Sequence, residues 1–239
     1  MFKIIKFKTL PSTQDKVKQF AKKGFKDIVV VSESQTNSRG RFKRKWISSK
    51  GGLWISILLK PKSIGKLQFL TFIAAISVLE TIKRFAKLNA KIKWPNDVHY
   101  KGKKLCGILT ESVLGKENYA IVGIGLNVNQ GSFPGEIKGI ATSLRIEIKK
   151  RFDIEEIQNY LLERVFYYNG ECYSKSKFDE ILFLLRKNCD TVGRKVTVIG
   201  LNRKITGFVF GIDDEGKLLI RLKNGKTEKI IEGDVRIRH

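Results

Sequence analysis

The segment after residue 191 constrains the fold most. It consists of short apolar and β-branched runs, Lys195–Ile199, Lys204–Ile212, Lys217–Leu222, Thr227–Ile231 and Val235–Ile237. Turn signals separate them at Gly200-Leu-Asn202, Asp213-Asp-Glu-Gly216, Lys223-Asn-Gly225 and Glu232-Gly-Asp234. No run has helical spacing, and strands this short bury an apolar face only by curling together. They predict a small β-barrel of SH3-like type. The grammar changes near 188–192, which divides the chain into domains at 1–190 and 191–239.

The first domain alternates helices and strands. Phe2 to Lys8 alternates apolar residues with lysines, as a half-buried edge strand does. Ser12 or Thr13 caps a helix carrying Val17, Phe20 and Ala21 on one face and ending near Gly24. Asp27 to Ser32 and Leu53 to Leu59 read as buried strands, and Leu67 to Lys87 as a long buried helix. Val98 to Val113 reads as a hairpin turning at Lys101-Gly102, and Asn118 to Val128 as a further strand after a turn at Gly115. Helices over Asp153–Gly170 and Ser176–Asn188 cover the sheet.

Two stretches do not fit a plain scaffold. The first is Arg39-Gly40-Arg41-Phe42-Lys43-Arg44-Lys45-Trp46, with five cations in seven residues and no apolar period. Such a loop suits a phosphate or carboxylate, because arginine presents a planar fork of donors. By itself it equally suits a solvated basic surface. The second is Lys93-Trp94-Pro95-Asn96-Asp97, where proline and the Asn-Asp pair set a turn. The net charge of +24 fits nucleic acid, anionic substrates or an acidic protein partner. The lysines are spread along the whole chain, which weakens the nucleic-acid reading. Three cysteines and two histidines, widely spaced, do not build a disulfide framework, a zinc site or a histidine-based catalytic pair. No signal peptide or membrane span is apparent, so the expectation is a cytoplasmic protein.

In order along the chain, Ser12-Thr13-Gln14, Gln35 with Arg39-Gly40-Arg41 and Trp46, Gly51-Gly52-Leu53-Trp54, Lys93-Trp94-Pro95-Asn96-Asp97, Lys104 to Glu111 including Gly107, and Gly123-Ile-Gly125-Leu-Asn127 resemble the biotin protein ligases. That resemblance implies an α+β fold, a class II synthetase-like mixed sheet followed by the SH3-like barrel. It implies a ligase that joins biotin and ATP into biotinyl-5′-AMP and then biotinylates a lysine of a biotin carboxyl carrier domain. Among residues matching the family's pattern, Ser12, Thr13, Gln14, Gln35, Gly40 and Gly107 belong to the biotin side. Arg39, Arg41, Lys93 and Lys104 supply the positive charge that brings two anions together, with Arg39 and Lys104 orienting the biotin carboxylate and α-phosphate. Arg44, Lys45, Trp46, Asn96, Asn127, Thr142 and Ser143 belong to the ATP side. Asp97 is expected to hold Mg²⁺ or pair with a lysine; a plain turn aspartate is the bland alternative.

Ser38 and Lys43 stand where the family commonly has glycine. The basic loop lacks apolar anchors before Trp46 and is expected to be mobile until ligand orders it. No N-terminal DNA-binding domain fits ahead of Ser12, so sequence-specific DNA binding is not expected, and a homodimer through a sheet edge is compatible with the pattern. A lipoate or octanoyl ligase on the same fold and a basic nucleic-acid-binding protein are the competing readings. Pyrophosphate release with biotin against lipoate, and salt-dependent duplex binding, separate them.

Overall fold

A computed structural model describes residues 2–60, 67–113, 119–171, 175–200 and 204–237. The first sheet comprises β1 (Lys3–Leu10), β2 (Ile28–Gln35), β3 (Leu53–Leu59), β4 (Lys91–Lys93), β5 (Asp97–Tyr100), β6 (Lys103–Val113) and β7 (Tyr119–Leu126). Its spatial order is β1-β2-β3-β7-β6-β5-β4. β1 and β2 are parallel, joined across α1 (Thr13–Lys22), and every other neighbour pair is antiparallel. The lysine-rich first strand is the sheet edge, as its alternation predicts. The turn expected at Gly115 lies outside the described residues.

Strand alternation decides which helix each side chain meets. In β3, Ile55, Ile57 and Leu59 join the main core with Phe72 and Ile73 of α2 (Leu67–Ala86). Leu58 faces the other way, into a smaller cluster with Val17, Ala21, Val30 and Ile121 around α1. Behind α2 lie α4 (Ile154–Glu171) and α5 (Lys175–Asn188); a short α3 (Leu144–Ile148) precedes them. Asp153 caps α4, its Oδ1 accepting from the Glu155 and Glu156 amides at 2.7 and 3.2 Å. α1 is short and covers only part of its face. The uncovered remainder of that face is where the site forms.

β8 (Lys195–Ile199), β9 (Lys204–Ile212), β10 (Leu218–Arg221), β11 (Thr227–Ile230) and β12 (Asp234–Ile237) form the second sheet in the order β11-β10-β9-β8-β12, antiparallel throughout. The expected barrel is not closed, because among the described residues no ladder joins β11 to β12. The expected turn at 200–202 falls partly outside the described residues. The core runs unbroken from the first sheet into Val196, Val209, Leu218 and Val235. Trp94 fastens the two sheets: its indole Nε1 donates to the Gly216 carbonyl at 3.0 Å, and its amide donates to Thr191 Oγ1 at 3.0 Å. Among the described residues no helix is long and apolar enough to cross a membrane.

Candidate active site

The open part of the α1 face becomes a cavity of about 330 Å³. Its floor follows from register. Ser56 of β3 lies opposite Gly123 of β7, Trp54 opposite Gly125, and Gly125 opposite Gly107 of β6. Facing partners share a face, so three glycines and one serine make a flat patch. Trp46 lies on it. A Cβ at Gly125 would stand 2.8 Å from the Trp46 indole nitrogen, and one at Gly107 3.0 Å from its ring. Gly107 therefore accommodates Trp46. A Cβ at Gly123 would stand 2.6 Å from Gln14 Oε1, so that glycine admits the Gln14 side chain.

One end of the cavity is neutral and tightly hydrogen-bonded. Ser12, whose Oγ accepts from the Asp15 amide at 3.2 Å, is the N-cap of α1 and places Thr13 and Gln14 at the cavity wall. Gln35 Oε1 accepts from the Thr13 amide at 2.7 Å and from Thr13 Oγ1 at 3.1 Å. Thr13 Oγ1 and Ser56 Oγ are 2.8 Å apart, Ser56 Oγ donates to Gln14 Oε1 at 3.0 Å, and Gln35 Nε2 donates to Ser48 Oγ at 2.9 Å. Ser38, buried, donates to the Trp46 carbonyl at 2.7 Å and lies 2.7 Å from Ser48 Oγ. The serine that replaces a common glycine thus ties the base of the basic loop. Ser38 stands out in the sequence only as a replacement for a glycine, and Ser48 and Ser56 have no assigned role there, because isolated serines carry no pattern that marks them.

The other end is cationic. The loop makes one 3₁₀ turn at Arg41–Lys43, with Phe42 and Lys43 at φ 55° and 57°. Glycine reaches that region without strain, whereas Phe42 and Lys43 each carry a Cβ there. Arg41 Nη1 donates to Asn96 Oδ1 at 3.2 Å and to the Gly233 carbonyl at 3.3 Å. Burial lowers its pKa, opposed by the charges of Glu232, Asp97 and Asp234. Arg44 pairs with Asp234 at 2.9 Å, which holds the Asp234 carboxyl below the usual range. Arg39 turns to Asp15, with two hydrogen bonds at 2.7 and 2.8 Å, and to Glu111 at 3.4 Å. The loop, expected to lack apolar anchors, has counter-ions at both ends, and Gly233, Asp234 and Val235 complete the wall.

Asp97 of β5 faces Lys104 Nζ at 2.7 Å, with His99 Nε2 at 3.9 Å. Burial pushes its carboxyl up, but the Lys104 ammonium outweighs this and holds it at about 2. Of the two roles expected for Asp97, the lysine partner is the one the geometry displays. No group of three or more acid, histidine or cysteine residues is placed to hold a metal among the described residues.

Fifteen of the positions named above, from Ser12 to Gly107 and including Trp46 and Asn96 of the ATP side, line this one cavity. Asn127, Thr142 and Ser143 do not. Asn127 borders a smaller adjoining cavity of about 110 Å³, with Lys45, Trp46 and Lys104. Its amide already donates to the Thr142 carbonyl at 3.0 Å. Thr142 Oγ1 donates to Glu147 at 2.6 Å, and Ser143 caps α3 while donating to the Gln130 carbonyl at 2.6 Å. These two hydroxyls hold a turn and line neither cavity.

Fold and site together define a ligase-type α+β unit with a split cavity, neutral at one end and cationic at the other. The chain belongs to the biotin/lipoate A/B protein ligase family, whose model matches residues 6–129, and residues 191–238 match the biotin protein ligase C-terminal domain. It is similar to a bifunctional ligase/repressor BirA of Bacillus subtilis, 35% identical with 95% of this chain and 72% of that protein covered. The corresponding protein of Bacillus spizizenii is 37% identical over 87% of this chain and 66% of its own length. The chain thus spans about two thirds of these curated relatives. A solved biotin protein ligase from Aquifex aeolicus, in complex with biotin and ATP, superposes with TM-score 0.87 at 34% identity, covering 100% of this chain and 99% of that one.

Proposed function

We propose that this protein activates biotin with ATP and transfers it to a lysine of a carrier domain. The observation that carries the reading is the division of one cavity into a neutral hydrogen-bonding end and a cationic end. A ureido ring has both donors and acceptors and suits the Thr13, Gln35, Ser38 and Ser56 end. A dithiolane ring offers neither and gains no hydrogen bond there, which favours biotin over lipoate. At the other end, Arg41 and Lys104 bring the biotin carboxylate and the α-phosphate together against their mutual repulsion. A carboxylate oxygen attacks the α-phosphorus and pyrophosphate departs, with Arg44 and Lys45 at the mouth to receive it. The acceptor lysine, as free amine, then attacks the acyl carbon and AMP leaves.

Trp46, Asn127 and the smaller cavity suit the adenine. Magnesium would arrive with the nucleotide, held mainly by phosphates and water with Asp97 and Asp234 as nearby carboxylates, and would neutralise phosphate charge. The acceptor is the carrier domain of a biotin-dependent carboxylase. An acidic one suits the +24 charge. The cytoplasm, where ATP is supplied, is the proposed site of action. The test is pyrophosphate release from ATP with biotin, with lipoate and with neither. Release that biotin does not stimulate would overturn the proposal.

A further inference from the structure

The two flanking arginines of the Arg-Gly-Arg segment are in opposite electrostatic states. Among the described residues Arg39 is paired with two carboxylates and Arg41 with none. Arg39 Nη1 and Nη2 grip Asp15 in the paired geometry at 2.7 and 2.8 Å, and Nη2 also reaches both Glu111 oxygens at 3.4 Å. Arg39 lines the cavity but Asp15 and Glu111 do not, so the two carboxylates hold it from outside the cavity wall. Asp15 is itself fixed, because its amide is bonded to the Ser12 cap at the start of α1. Arg41 donates only to neutral oxygens, Asn96 Oδ1 and the Gly233 carbonyl. Among the described residues no carboxylate lies within ion-pair distance of it, so its charge remains available to an incoming anion.

The place of Arg39 in the loop explains what its pairing does. Arg39 and Lys45 form a bridge at the stem, and the Trp46 amide donates to the Ser38 carbonyl at 3.0 Å. Pinning Arg39 therefore fixes the stem from which Arg41 projects and on which Trp46 rests.

We propose that Asp15, with Glu111, is a positioning residue that staples the basic loop to α1 through Arg39. The staple is read without substrate; only its effect on biotin binding rests on the biotin-ligase reading.

Trypsin cleavage within 39–45 in ligand-free protein should quicken roughly fivefold in Asp15→Asn, the scale of losing a half-exposed bidentate pair. In the same variant KM for biotin should rise by a similar factor with kcat within about twofold, since loop order precedes binding. In a Glu111→Gln background, Arg39→Asp alone should be impaired and Arg39→Asp with Asp15→Arg should recover biotin-dependent pyrophosphate release. Unchanged ligand-free cleavage in Asp15→Asn would sink the staple whether or not the protein ligates biotin. Tighter biotin binding in Asp15→Asn, or a swapped variant that is folded and protected yet inactive, would show that Arg39 touches substrate and overturn the assignment.

Discussion

The two ends of the cavity are built on different principles. The neutral end consists of buried hydroxyls and amides of Thr13, Gln14, Ser38, Ser48 and Ser56, joined at 2.7 to 3.1 Å. The cationic end consists of partly exposed ion pairs, Arg39–Asp15, Arg44–Asp234 and Lys104–Asp97. Buried neutral networks are rigid because an unmade bond costs the full desolvation of its partner. Exposed pairs hold shape yet exchange readily, because water and salt compete for each member. On the proposed reading the site must select a small neutral ring and also release pyrophosphate, and that needs both behaviours.

The comparison breaks most visibly at Arg41. Arg41→Ala should lower kcat for biotin-dependent pyrophosphate release by about 10²–10³, the loss typical of one preorganised charge donor, with biotin binding less affected. An equal loss in binding and turnover would show that Arg41 serves the ground state. At the neutral end, Thr13→Val removes the hydroxyl's bonds to Gln35 and Ser56, leaving the amide bond to Gln35, and should cost about 1–3 kcal/mol, read as a rise in KM for biotin with kcat preserved. That effect should not change between low and high salt.

The Asp97–Lys104 pair gives a pH signature. The folded carboxyl titrates at about 2, below the unfolded aspartate value of about 3.9. The pair's contribution, on the order of 2 kcal/mol, is therefore complete above the unfolded value and lost as pH falls towards the folded one. Chemical denaturation between neutral pH and the acid limit should show this loss in the parent and a flatter acid limb in Lys104→Met. The smallest effect is expected at Asp234→Asn. Breaking the exposed Arg44 pair should cost less than about 1 kcal/mol, seen as a modest rise in KM for ATP that disappears at high salt. A large, salt-independent effect would move Asp234 from the exchangeable end of the comparison to the rigid one.

Much of the fold was legible in local pattern. Leu53–Leu59, Lys195–Ile199 and Lys204–Ile212 match the observed strands at both ends, and Asp153 caps its helix as expected. These depend on alternation, capping and turn residues, all within a few positions. The open second sheet was not legible, because closure depends on whether β11 and β12 meet, which local strand signals do not specify. Thr142 and Ser143 were assigned to the nucleotide, whereas their hydroxyls satisfy a turn and a short helix. Ser and Thr side chains favour such backbone bonds, and only the fold tells which they take.

The basic loop marks the boundary between the two kinds of knowledge. Its charge, its lack of apolar period and its place among the family's motifs are properties of the sequence by itself, and they determined the family and the anionic chemistry. Which cations stay available was decided by tertiary structure. Arg39 meets Asp15 across 24 residues and Glu111 across 72, and Arg44 meets Asp234 across 190. Coulomb attraction acts through space and falls off within a Debye length, so no spacing along the chain records it.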